Sequence, residues 1–221
     1  MLRTAHARSS DVNRTAVPYI TCRAGEEPVK HRALSVSYDL DSRPRLAYRT
    51  ELPGDRDLNG VLWARCPQTR GVDGLPTGEP RWRDVHPVRQ RECMQRLLCQ
   101  VCAQPARTPE GFLFLVGPGE VGEDRTRVLT TQPPVCRKHA RTAAVLCPYL
   151  RNAPTVLLAQ APRIHGVVGA LYEHTGRGVR PAPADVGSLS YGHPALRWYL
   201  ASQMVRRLES FRVVEWRNLP A

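Results

Sequence analysis

Short runs in which apolar and polar residues alternate dominate the first third of the chain. "AVPYITCR" (16–23), "RALSVSYDL" (32–40) and "RLAYRTEL" (45–52) are β-prone and separated by polar turns, predicting two or three strands. "VLWARC" (61–66) predicts a further strand. "PQTRGVDGLPTGEP" (67–80) reads as a Pro/Gly loop, the most mobile internal segment expected. The rhythm changes at "HPVRQRECMQRLLC" (86–99), where Pro87 suits a first helical turn. Val88, Met94, Leu97 and Leu98 form a partial apolar stripe there, predicting a short helix over 87–97.

"GFLFLV" (111–116) and "TRVLTT" (126–131) predict a β-hairpin, and the segment after it predicts a helix from about 137 to 147, stopped by Pro148. "TVLLAQA" (155–161) and "GVVGALYEH" (166–174) are apolar strand candidates, and residues 176–192 read as a loop. "HPALRWYLASQMVRRLES" sets Leu196, Leu200, Met204, Val205 and Leu208 along one face of an amphipathic helix over 194–210, and "FRVVEW" (211–216) would close as a strand. The expected fold class is therefore α+β, with short antiparallel strands and about three helices. Four parts are expected: a flexible N-terminal arm (1–17), a β-rich part (18–80), a zinc-binding subdomain (81–150) and a C-terminal α/β part (151–221).

Chemistry enters with the cysteines, at 22, 66, 93, 99, 102, 136 and 147. The N-terminal stretch has no apolar core of the secretory kind, and an odd count without an export signal argues against a disulfide framework. No apolar run approaches the roughly 18 to 20 residues that span a bilayer, so a cytoplasmic protein with no membrane partner is expected. Cys99-x-x-Cys102, the expected hairpin, and Cys136-x-x-His139 at a helix start form a knuckle–hairpin–helix order. Two ligands on a tight turn and two at a helix N-terminus can then converge into the tetrahedral set that Zn²⁺ takes in structural sites. A treble-clef zinc subdomain holding structural Zn²⁺ through Cys99, Cys102, Cys136 and His139 is the expectation. Cys147, eight residues beyond His139, remains an alternative fourth ligand. A thioredoxin-like dithiol is disfavoured because no strand–CxxC–helix unit surrounds the pair.

Four stretches, "DRDLNGVLWARC", "VHPVRQRECMQRLLCQVC", "PPVCRKHARTAAVLCPYL" and "YGHPALRWYLASQMVRRL", together resemble a family of uncharacterised actinobacterial proteins with a treble-clef-like zinc finger. The resemblance covers roughly residues 50 to 210. It implies the zinc site and no activity. Members of that family carry a second C-x-x-C where this chain has Cys136-x-x-His139.

The formal net charge of +12 changes the picture once more, because it favours polyanionic partners. Of the 32 basic residues only Lys30 and Lys138 are lysines, and abundant Arg, Pro, Ala and Gly also fit a GC-rich genome in which codon usage supplies the arginine. Two basic tracts flank the expected zinc site. Arg81, Arg83, Arg89, Arg91 and Arg96 lie on one, and Arg137, Lys138 and Arg141 on the other, giving a candidate phosphate-binding surface for nucleic acid. Trp82 between two arginines can stack on a base or pack into the core. A protein partner or homodimer is the competing class.

Enzymatic readings find less support. An HNH-type nuclease needs a histidine base on the hairpin, and residues 103–135 contain none. A Cys–His catalyst would have to pair Cys66 or Cys93 with His86, which is more simply a residue ahead of a helix. "GPGEVG" (117–122) lacks the helix and Lys of a phosphate loop. Asp55 and Asp57, flanking Arg56, are explained by turn chemistry.

Overall fold

A computed structural model describes residues 17–117, 120–121, 126–146, 155–176, 178–183 and 185–215. The N-terminal arm, apart from residue 17, and Cys147 lie outside the described residues. The chain order is β1 (Thr21–Arg23), β2 (Leu34–Tyr38), β3 (Pro44–Tyr48), β4 (Leu62–Trp63), β5 (Pro80–Val85), α1 (Pro87–Arg96), β6 (Arg107–Thr108), β7 (Gly111–Val116) and β8 (Arg127–Thr130). Then come α2 (Arg137–Leu146), β9 (Thr155–Ala159), β10 (Arg163–Thr175), β11 (Gly178–Pro181), β12 (Leu189–Ser190), β13 (Tyr199–Glu209) and β14 (Phe211–Val214). Short 3-10 turns cover His31–Ala33 and Pro194–Trp198.

The protein is mostly β, which corrects the expected α+β class with about three helices. Two α-helices are present among the described residues. The helix expected over 194–210 is instead the 3-10 turn followed by β13. Four of its five marker residues, 196, 200, 204 and 208, recur every four positions, a spacing that suits a helix face and is also twice the strand period, while the fifth, Val205, falls on the other face of β13 from Met204. His193 still caps, its Nδ1 accepting from the Ala195 amide at 3.2 Å, but it starts only the short turn. β13 then runs through the sheet with both faces largely covered.

The hairpin expected between 111–116 and 126–131 is not formed either, so the treble-clef arrangement is not matched. β7 is buried at all six positions and sits inside a four-stranded sheet ordered β14–β9–β7–β6. A strand apolar at every position needs cover on both faces, and this sheet with α2 packed on it provides that. β8 alternates exposed and buried residues and pairs antiparallel with the far end of β13, Arg206 opposite Thr130 and Glu209 opposite Arg127.

β13 organises the larger sheet. On one side it pairs with β10 along most of its length; on the other it pairs parallel with β4 at Leu200 and Ala201, and with β8 from Arg206. Between those two partners Met204 would be left without a ladder, and the Gln90 side chain fills the gap. The Gln90 amide donates to Met204 O at 2.9 Å and accepts from Met204 N at 2.9 Å, so α1 is bonded to the sheet by a side chain that imitates a strand. Gln90 also donates to Thr131 O at 2.6 Å. Arg206, buried, donates to the carbonyls of Met94, Gln95 and Pro162 and so caps the C-terminal end of α1. A cation at a helix C-terminus meets the negative end of the dipole, which suits a guanidinium that burial has pulled down to about 10.

Ser210, at φ 52°, turns the chain from β13 into β14 and hence from the larger sheet into the smaller one. The largest core cluster lies around β7, β9 and α2, and reaches Leu208 of β13. A second packs Met94 of α1 on β13 residues Ala201 and Met204, with Val61 and Trp63. α1 buries Arg89, Gln90, Cys93 and Met94 and leaves Val88 exposed, so its inner face is more polar than the expected apolar stripe.

Candidate metal centre

The site is assembled from the end of one helix and the start of the other. α1 stops at Leu97, which takes the left-handed conformation at φ 53°, and the Leu97 and Leu98 amides both return to Cys93 O. Residues 99–104 close a tight knuckle: Cys99 N donates to Gln104 O at 2.7 Å, and Ala103 N to Cys99 O at 2.8 Å, with Ala103 at φ 56°. This turn holds Cys99 and Cys102 side by side.

Three further bonds bring the second half to it. Gln100 N donates to Pro134 O at 2.9 Å, Gln100 Nε2 to Pro133 O at 3.0 Å, and Val135 N to Leu113 O at 2.8 Å. The segment 133–135 is thereby stapled between the knuckle and β7, and the following residue is Cys136. His139 N donates to Cys136 O at 3.0 Å as the first turn of α2 forms, which places both side chains on the side facing the knuckle.

The ligand atoms of Cys99, Cys102, Cys136 and His139 all lie within 4.8 Å of one another. His139 Nδ1 is 3.2 Å from Cys136 Sγ and 4.0 Å from Cys99 Sγ. A tetrahedral ion with metal–sulfur bonds of about 2.3 Å and metal–nitrogen bonds of about 2.0 Å has ligand–ligand edges of about 3.5 to 3.8 Å, so the four atoms are spaced to hold a metal ion. Cys99 is fully buried and the other three are half-buried.

Electrostatics points the same way. Burial raises the Cys102 thiol to about 12; the Gln104 backbone offsets part of this, and the nearby Cys99 and Cys136 sulfurs add to it. Burial, then Cys99, also raises Cys136. Burial and the adjacent Lys138 lower His139, keeping it neutral and able to donate its lone pair. The raised Cys102 and Cys136 thiols become thiolates when a cation neutralises them, and a neutral imidazole completes the set.

The sequence-predicted basic residues are dispersed by the fold. Arg89 is fully buried, its guanidinium paired with Glu26 at 2.6 and 2.7 Å and donating to Thr21 O at 2.9 Å, so it is removed from any ligand surface. Arg91 lies over the Trp63 ring at 4.7 Å. Arg81 pairs with Asp84 at 2.5 Å and Glu27 at 3.5 Å, and Arg96 with Glu92 at 3.0 Å. Arg83 and Trp82 are exposed on β5. On α2, Lys138 and Arg141 are exposed, and exposed Arg137 pairs with Glu110 at 2.5 Å.

The acids and histidine weighed for catalysis are held by local structure. Asp55 pairs with Arg65 and accepts from Leu52 N. Asp57 accepts from Trp63 Nε1 at 3.0 Å, Tyr191 OH at 2.8 Å and two loop amides. His86 is the cap of α1: Nδ1 accepts from Arg89 N at 3.4 Å and Nε2 lies 3.0 Å from Pro67 O. Beside it Cys66 is buried and its thiol is held down at about 5, chiefly by Cys22 and then by His86 against the effect of burial.

A second group of cations comes together without any signal in the linear sequence. Arg163 of β10 stands directly opposite Arg207 of β13, and Arg127 of β8 opposite Glu209. Comparison of the chain with protein-family models, curated proteins and solved structures finds no match to any of the three, so the site is read from its own geometry. No helix among the described residues is long and apolar enough to cross a membrane.

Proposed function

We propose that this is a zinc-stabilised nucleic-acid-binding protein. The observation that carries the reading is the joining of the two features at one helix start: Cys136, the residue before α2, and His139 in its first turn belong to the four-ligand cluster, and that turn and the next present Arg137, Lys138 and Arg141 to solvent. Three thiolates and one imidazole suit Zn²⁺, which takes tetrahedral sulfur and nitrogen sets with no preference imposed by d-electrons. Four protein ligands fill a tetrahedron, so the ion would be structural, fixing the knuckle against α2 and holding the cations of the helix in place. Zn²⁺ held there supplies folding energy and fixed geometry; Gln100 and Val135 position the two halves around it.

The test combines metal content with binding. Metal analysis of protein purified without added metal should return about one zinc per chain. Fluorescence anisotropy with labelled duplex DNA, single-stranded DNA and RNA should show binding that weakens steeply as salt rises, since each phosphate neutralised releases counterions. Neutralising Arg137, Lys138 and Arg141 together should weaken it. No binding to any of the three at low salt would reject the reading and leave the arginine content to genome composition.

A further inference from the structure

The strongest unassigned surface is one face of the sheet β10–β13–β8. Residues directly opposite on antiparallel strands project to the same face, with Cβ atoms about 5 Å apart. That puts Arg163, Arg207 and Leu129 in one row across three strands, and Arg127 and Glu209 in the next. Like charges so placed repel, and a sheet keeps an Arg–Arg cross-strand pair at a cost in stability. Glu209 bridges to Arg207 at 3.0 Å and so offsets one of the three guanidiniums. Arg163 and Arg127 are exposed.

Two further features lie on or beside this face. The ladder slips between Ile164 and Gly166, a bulge that sets His165 out of the pairing. His165 is held below its ordinary pKa by burial, then by the charges of Arg207 and Arg127, so both reach it. A groove of about 330 Å³ also opens on this sheet, lined by Glu120, Leu129, Thr130, Thr131, Val168, Ser188 and Val205. Val205 and Arg207 are two residues apart on β13, so the groove continues directly into the basic row. Its walls are aliphatic and hydroxyl-bearing apart from the Glu120 carboxylate, and its volume is large enough for one unstacked base.

Resting on the nucleic-acid reading above, we propose that this sheet face docks single-stranded nucleic acid, one base in the groove and the flanking phosphates on Arg163, Arg207 and Arg127. Unstacked bases can be splayed onto a sheet in this way, while the cations follow the backbone.

The experiment uses metal-replete full-length protein and anisotropy with a labelled oligo(U) 12-mer and a duplex of equal length, each across a salt series. Arg163→Gln with Arg127→Gln removes two exposed phosphate contacts. The single-strand affinity should fall roughly tenfold, and the salt slope should shrink by about 1.4, with a smaller effect on duplex. Glu209→Gln should tighten single-strand binding, a direction that misfolding cannot produce. Wild-type protein that binds neither probe rejects the nucleic-acid reading as a whole. Wild-type protein that binds the 12-mer while the double variant keeps its affinity and salt slope overturns the sheet proposal alone. Displacement of the 12-mer by free UMP at an equal concentration of binding units would also overturn it, in favour of a mononucleotide site.

Discussion

The Glu26–Arg89 pair gives the sharpest test of how this fold is held. Both side chains are fully buried. Glu26 accepts two bonds from Arg89, one each from the amides of Arg23 and Thr69, and one from the Thr69 hydroxyl. Burial alone would raise its carboxyl; the Arg89 bonds, then the two amides, outweigh it and hold the pKa at about 2 against an ordinary 4.5. At roughly 1.4 kcal/mol per pH unit, that gap corresponds to about 3 kcal/mol. Because the folded value lies below the unfolded one, this stability is fully present above pH 4.5 and disappears as the pH falls from about 4.5 towards 2. Glu26→Gln removes it at every pH and strands a buried guanidinium, so the loss at pH 7 should be about 3 to 5 kcal/mol. Urea unfolding of wild type and Glu26→Gln at intervals from pH 7 to pH 3 is the assay, since other carboxylates titrating in the same range cancel in the difference. The two stabilities should converge as the pH falls below 4.5. A constant difference across that range would refute the linkage, and a difference under about 1 kcal/mol at pH 7 would refute the buried pair as a structural element. In the double variant Glu26→Leu, Arg89→Met the loss should be well below the sum of the single losses, because no charge is left unpaired.

Other outcomes follow from named contacts. Chelation, or Cys102→Ser, should unfold the segment from the knuckle through α2, seen as lost near-ultraviolet dichroism. A structural zinc contributes about 10 to 16 kcal/mol, as much as a domain's whole net stability. Substitution with Co²⁺ should give a thiolate-to-metal charge-transfer band that Cys136→Ser weakens. Gly166→Ala would set a Cβ 1.9 Å from Leu189 O, so a loss of about 3 kcal/mol is expected by thermal unfolding. Arg206→Met leaves the Met94, Gln95 and Pro162 carbonyls buried without their donor and should cost about 3 kcal/mol in urea unfolding; Arg206→Lys should recover only part of it.

What could be read from the chain follows the range of the interaction. α1 was legible because its signals are local: His86 caps, Pro87 takes the first turn, and the helix ends at Leu97. β7 was legible because six apolar residues in a row have few other fates. The Cys99, Cys102, Cys136 and His139 set was legible because ligand spacing survives a change of fold; the cluster forms although the expected hairpin between its halves does not. No local signal specifies the partner of β7, which pairs with β6 and β9. The terminal helix failed because a four-residue repeat carries no information about which period produced it. Arg163 and Arg207 are 44 positions apart in numbering and meet only through a strand register that nothing local encodes.

The same distinction bears on the net charge of +12, which cannot be treated as one surface. Arg89 and Arg206 are interior parts, one neutralised by Glu26 and the other hydrogen-bonded to the Met94, Gln95 and Pro162 carbonyls. Arg65 and Arg91 lie over the rings of Tyr48 and Trp63 at 3.9 and 4.7 Å, where their stems pack and their charges are partly used. Arg81, Arg96 and Arg137 carry carboxylate partners at the surface, pairs worth at most about 1 kcal/mol each and easily exchanged for a phosphate. A codon bias would bear only on the number of arginines and not on their positions. It gives no reason for Lys138 and Arg141 to face solvent beside the Cys99, Cys102, Cys136 and His139 cluster, or for Arg163 to be set against Arg207 at an electrostatic cost. A surface that keeps like charges together at a cost is better accounted for by an anion that relieves it, and the salt slopes of the helix and sheet variants measure how that relief divides between the two faces.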